Sequence, residues 1–211
     1  MTFTELFQIS VKELVRQKIP FVVGGVLIAS IYRLEKRAMM SVQLIVDSEP
    51  KEMLFLEGLL LAKPFEMILP DSNLPRHVTP IDSISQVKKV LFLEVSEDPR
   101  LGLEIVFHNL PWIPEAIERA QYNRLDFGFA LLPALTVEDI IVAKLYSSTQ
   151  SSDRYLDLDD LQNIFQANHD LDLGYITNQI NKLSLGFHKS LWEYAPEGLR
   201  RIGRSTGKHF L

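Results

Sequence analysis

Residues 24 to 47 read GGVLIASIYRLEKRAMMSVQLIVD, and the order of residue types within them decides the fold. The run FVV at 21–23 precedes the two glycines and has the apolar, β-rich character of a short buried strand. Gly24 and Gly25 end that strand. Residues 26 to 36 then have the composition of a helix, and residues 40 to 47 alternate around β-branched and aliphatic residues as a second strand. A glycine pair at a strand end is most often only a tight turn. Beside a helix N-terminus it also leaves backbone N–H groups that phosphate oxygens can approach with no Cβ in the way.

Working outward, Leu6, Ile9, Val11, Leu14 and Val15 recur at near-helical spacing, which predicts an amphipathic helix over 4–18. Pro20 separates it from FVV. EPKEMLFLEGLLLAK (49–63) reads as another amphipathic helix with Pro50 in its first turn, and LPDSNLPRHVTPIDS (69–83) as an irregular loop with three of the 11 prolines. VKKVLFLEV and LGLEIVFHN flank SEDPR and suggest a hairpin. PWIPEAIERAQ is expected as a short helix and FGFALL as a short strand. Thr136 and Asp139 stand in capping-box spacing at the start of TVEDIIVAKLYSS, so a helix should begin there. LDLDDLQNIFQAN and residues 173–184 and 188–203 read as further helices. The expected architecture is α+β, a mixed β-sheet flanked by helices over 1–135 and a helical C-terminal region over 136–211 packed on it.

With 211 residues, 46% of them hydrophobic and 23% charged, the chain has enough apolar material for a core. The absence of cysteine excludes disulfides, thiolate zinc sites and thiol nucleophiles. A formal net charge of -5 argues against bulk, sequence-independent nucleic-acid binding. The longest uncharged run, PFVVGGVLIASIY (20–32), is too short for a membrane span, and the N-terminus lacks the pattern of a signal peptide. No membrane association and a cytoplasmic location are therefore expected.

VVGG, a helix, an arginine, a strand, and later TVEDIIVAKL with LDLDDL together resemble the minimal nucleotidyltransferase fold, in its AbiE-type toxin branch. The resemblance covers residues 20–47 and 95–165. It implies that Gly24, Gly25 and Arg37 bind nucleotide phosphates, that Lys144, Asp157 and Asp160 belong to the closing nucleotide-binding helix pair, and that Glu104 is the third carboxylate. Met39 falls where the branch has a threonine. Ser41 and Gln43 fall where it has two metal-binding aspartates, and with Glu104 they make up the candidate catalytic set.

That replacement has a chemical consequence. Residues two apart on a strand share a face, so aspartates at 41 and 43 would hold two magnesium ions about 4 Å apart. Magnesium demands hard anionic oxygen, whereas a serine hydroxyl and a glutamine amide are neutral. Asp47 shares their parity but lies about 13 Å beyond Gln43 along an extended strand. No metal is therefore expected, and magnesium enters only if catalysis persists.

Other readings stand beside these. Arg37 can snorkel from a helix end, Lys144 can point to solvent, and Asp157 and Asp160 can complement a helix dipole. His77, His108, His169, His188 and His209 have no ligand spacing, although His108 and Glu104 share a strand face. Arg200, Arg201, Arg204, Lys208 and His209 form a small basic tail able to touch RNA or simply to be solvated. The leading expectation is a degenerate nucleotidyltransferase-fold pseudoenzyme, toxin-antitoxin-like, binding a nucleoside triphosphate or a protein partner. The alternatives are an active enzyme transferring a nucleotide to a protein or RNA through Glu104, Lys144 and Asp160, and a non-catalytic interaction module.

Overall fold

The computed structural model describes residues 3–36, 41–47, 65–68, 89–93, 102–107, 110–150 and 155–205. The helix expected over 49–63, the loop over 69–83, and Arg37, His77, His108, Lys208 and His209 lie outside them. The fold is mixed α+β, and the chain divides into two compact units. One comprises Met1–Leu27 and Met39–Ala134, the other Ile28–Ala38 and Leu135–Leu211.

In the first unit, helix α1 (Phe3–Arg16) buries Leu6, Phe7, Ser10, Val11 and Leu14. At about 100° per residue these five positions fall within an arc of roughly 140°. Ile9 and Val15, counted in the apolar stripe from sequence, lie just outside that arc and are exposed. The helix ends at Lys18, whose φ is 56°, with Ile19 N–H donating to the Leu14 carbonyl at 2.9 Å and Lys18 N–H to that of Val15 at 3.1 Å. This is a Schellman stop built on a lysine.

Five strands follow: β1 (Phe21–Gly24), β2 (Ser41–Val46), β3 (Phe65–Ile68), β4 (Lys89–Leu93) and β5 (Gly102–Phe107), arranged in the order β1-β2-β5-β4-β3. Only the β2–β5 pair is parallel among the described pairings of this sheet. Val42, Leu44, Ile45 and Val46 are all buried, so β2 is covered on both faces, which explains its run of aliphatic residues. β4 and β5 pair antiparallel, as the hairpin reading predicts, whereas β3 has no counterpart in the sequence reading.

Helix α3 (Ile113–Ala120) carries Pro114 in its first turn, where the missing N–H costs nothing. FGFALL is not one strand. Strands β6 (Arg124–Asp126) and β7 (Leu131–Pro133) form a hairpin whose turn holds Phe127 to Ala130. Gly128 has φ 81° there, and its N–H donates to the Asp126 carboxylate at 2.8 Å. The alternating apolar residues that suggested a strand are instead turn residues, with Phe127 and Phe129 packed edge-on against Phe7.

Helix α2 (Gly25–Tyr32) starts in the first unit and ends in the second, four residues short of the expected end at 36. The second unit is otherwise helical: α4 (Val137–Gln150), α5 (Tyr155–Ala167), α6 (Leu173–Lys182) and α7 (Glu197–Ser205). Thr136 caps α4, its hydroxyl accepting the Asp139 N–H at 3.3 Å and donating to the Asp139 carboxylate at 2.8 Å. Asp139 is fully buried and also receives the Tyr175 hydroxyl at 2.6 Å. The core joins Ile140, Ile141 and Leu145 of α4 to Leu161, Ile164 and Phe165 of α5 and Ile176 and Ile180 of α6.

The helix expected over 188–203 is broken. A 3-10 turn at Lys189–Leu191, capped by His188, is followed by a fresh start at Glu197. Pro196 is the reason, since it cannot donate to a preceding turn and does fit just ahead of a new helix.

Candidate nucleotide site

Gly24, Gln43 and Glu104 lie in one row across three neighbouring strands of the first unit. Gly24 is opposite Gln43 in the antiparallel β1–β2 pair, and Gln43 is opposite Glu104 in the parallel β2–β5 pair. Within this row the Gln43 Nε2 donates to the Glu104 Oε2 at 2.6 Å. Both side chains are half-buried, so the carboxylate receives a charge-assisted hydrogen bond in a setting only partly open to water. Ser41 stands two residues earlier on β2, opposite Gly102.

The glycine turn rests on the same glutamine. Gly25 opens α2 with φ 75°, a region that residues with a Cβ rarely occupy. A Cβ there would also stand 2.7 Å from the Gln43 Cγ and 2.9 Å from its Cδ, closer than real contacts allow. Gly25 is therefore required twice, once for backbone conformation and once to let Gln43 pass. The turn, the amide and the carboxylate form one packed group.

A divalent cation would need this row to supply several anionic oxygens. It supplies the Glu104 carboxylate, already bound to an amide N–H, and the neutral amide of Gln43, and the sequence has a serine rather than an acid at position 41. The residues do not fit a two-magnesium centre. Among the described residues, no group of three His, Cys, Asp or Glu side chains is arranged to hold a metal.

Lys144, Asp157 and Asp160 come together in the second unit. The Lys144 ammonium lies 2.9 Å from the Asp157 carboxylate and pairs also with Asp160 Oδ2. Asp160 is completely buried, and its other oxygen, Oδ1, pairs with Arg33. Arg33 reaches the Asp159 carboxylate at 2.8 Å, and its Nε donates to the Glu35 carbonyl at 2.8 Å. Lys144 and Arg33 are both buried, 9% and 8% exposed, which places their charges among the carboxylates and away from water. The i, i+3 spacing of Asp157 and Asp160 does put both on one helix face, aimed at the same lysine.

Arg33 and Asp159 are the members of this cluster that the sequence reading did not select. RLEKR contains Arg33, Lys36 and Arg37 within five residues, and nothing local distinguishes them. Arg33 follows the last helical residue, Tyr32, so its direction depends on how α2 ends. Asn163 marks that end, accepting the Leu34 N–H with its carbonyl at 3.3 Å and the Glu35 N–H with its side chain at 3.2 Å.

No family model matches the chain, and no curated protein matches it. Two solved structures are similar over most of its length. One is an antigenic nucleotidyltransferase-like protein from Paracoccidioides brasiliensis, 13% identical, covering 85% of this chain and 88% of the other, with a TM-score of 0.43. The other is JHP933 from Helicobacter pylori, 18% identical, covering 86% of this chain and 72% of the other, with a TM-score of 0.42. At those values neither likeness carries weight for chemistry, and the site has to be read from its own residues.

Proposed function

We propose that this chain is a nucleotidyltransferase-fold protein, related to the AbiE-type branch, whose central row no longer supports two-metal transfer and which retains nucleoside triphosphate binding. The observation that carries this reading is the Gln43–Glu104 hydrogen bond. It lies where the resemblance puts two of the three acids, with the glycine turn packed directly against it. Phosphoryl transfer depends on charge neutralisation at the transferring phosphate, which in this fold comes chiefly from metals held by those acids. An amide in place of an aspartate removes that stabilisation and leaves the turn.

The proposed phosphate contacts are the backbone N–H groups at Gly24, Gly25 and the start of α2. In this reading Lys144, Asp157 and Asp160 serve as the ionic scaffold of their own unit, because a lysine held by two carboxylates must give one up before it can meet a phosphate. The test is calorimetric titration with each of the four ribonucleoside triphosphates, first with magnesium and then with a chelator. Binding that survives the chelator is the expected result. Binding seen only with magnesium would make the chain an active transferase with carboxylates elsewhere, and no binding in either buffer would leave an interaction module.

A further inference from the structure

We infer that Gln43 is a built-in substitute for a cation: its amide N–H occupies a position on the Glu104 carboxylate that a divalent ion would take, and so keeps this row from taking metal. The inference rests on the functional reading above and goes further, because it assigns the exclusion of metal to one side chain.

Three observations support it. The 2.6 Å contact runs between directly opposed residues of a parallel strand pair, so backbone register brings the two side chains within reach of each other. The side-chain carbons of Gln43 lie against the Cα of Gly25, whose missing Cβ provides the room for them. Across β1 the opposed residue is Gly24, which adds no side chain to the row. Gln43 is thereby confined on the turn side and satisfied on the Glu104 side. A carboxylate has the shape of an amide but cannot donate when ionised. Glutamate at 43 would therefore set two like charges at hydrogen-bond distance, a state relieved by a cation between them or by a shared proton.

The experiment is thermal unfolding at neutral pH, without nucleotide, across a titration of magnesium and then manganese. Four proteins are compared: the natural chain, Gln43→Glu, Glu104→Gln, and the exchanged double variant Gln43→Glu with Glu104→Gln. The natural chain should be insensitive to either cation beyond the general effect of salt. Gln43→Glu should melt roughly 5 °C lower without cation and recover in a saturable way as cation is added. The exchanged pair should melt near the natural value with no cation dependence, since the same hydrogen bond is restored with its direction reversed. A saturable cation-dependent rise in the natural chain that Glu104→Gln abolishes would overturn the inference. So would a Gln43→Glu protein that stays unresponsive to cation. Should Gln43→Glu alone not fold, the exchanged pair still decides: its failure to regain stability would overturn the substitution argument. Because no nucleotide is present, these outcomes are independent of whether triphosphate binds.

Discussion

Gly25 and Gln43 constrain each other. The φ of 75° at Gly25 disfavours any Cβ, and Gln43 occupies the space a Cβ would need. Gly25→Ala should therefore destabilise the fold by about 2 kcal/mol or more, measured by chemical denaturation. Adding Gln43→Ala should remove the two closest contacts and leave the 3.1 Å approach to the Cβ of residue 43 together with the backbone part of the cost, so the two effects should be clearly non-additive. Asp160 presents a second residue-scale test. It is buried with Arg33 on one oxygen and Lys144 on the other, and Asp160→Ala would take from both buried cations the carboxylate they share, leaving Lys144 only Asp157 and Arg33 only Asp159 among the carboxylates of the described residues. A loss of about 3 to 5 kcal/mol is expected from denaturant unfolding. Only the identities of these residues were readable beforehand. The glycine pair was visible as a turn, but that its second glycine is shaped around Gln43, or that Arg33 meets Asp160, depends on contacts between residues 18 and 127 positions apart.

The helix ends show which signals are local. Thr136 and Asp139 are three residues apart, and their cap forms as that spacing predicts. Thr136→Ala should cost about 1 kcal/mol, visible as a lower unfolding midpoint. Two C-terminal stops are less legible because they use residues that rarely take positive φ. Lys18 has φ 56° after α1. Ser184 has φ 52° after α6, where Leu185 N–H donates to the Ile180 carbonyl at 2.9 Å. A Cβ in the left-handed region costs about 1 kcal/mol, so Lys18→Gly and Ser184→Gly should each stabilise by about 0.5 to 1 kcal/mol. A lowered midpoint for either glycine variant would mean that the side chain contributes more than the strain it brings. The misread FGFALL belongs to the same scale, since two-residue alternation marks a strand only where the backbone stays extended, and Gly128 bends it.

For the whole chain, a net charge of -5 predicts that random-sequence duplex DNA is not retained at physiological salt. An electrophoretic mobility assay checks this, and a stable shift at about 150 mM salt would point to a concentrated basic surface instead. No described helix is long and apolar enough to cross a membrane. By itself the sequence determined the α+β class, the strand–glycine–helix–strand opening, the β4–β5 hairpin and the helical character of the last third. Those features depend on side-chain periodicity, capping spacing and the conformational range of glycine, all of which act within a few residues. Only the tertiary structure decided that β2 pairs in parallel with β5, which sets Gln43 opposite Glu104, and that Arg33 and Lys144 share Asp160. A polar side chain carries its chemistry in its identity, but its partner depends on strand register and helix packing across long separations, where burial leaves a charge little choice but to find an opposite one.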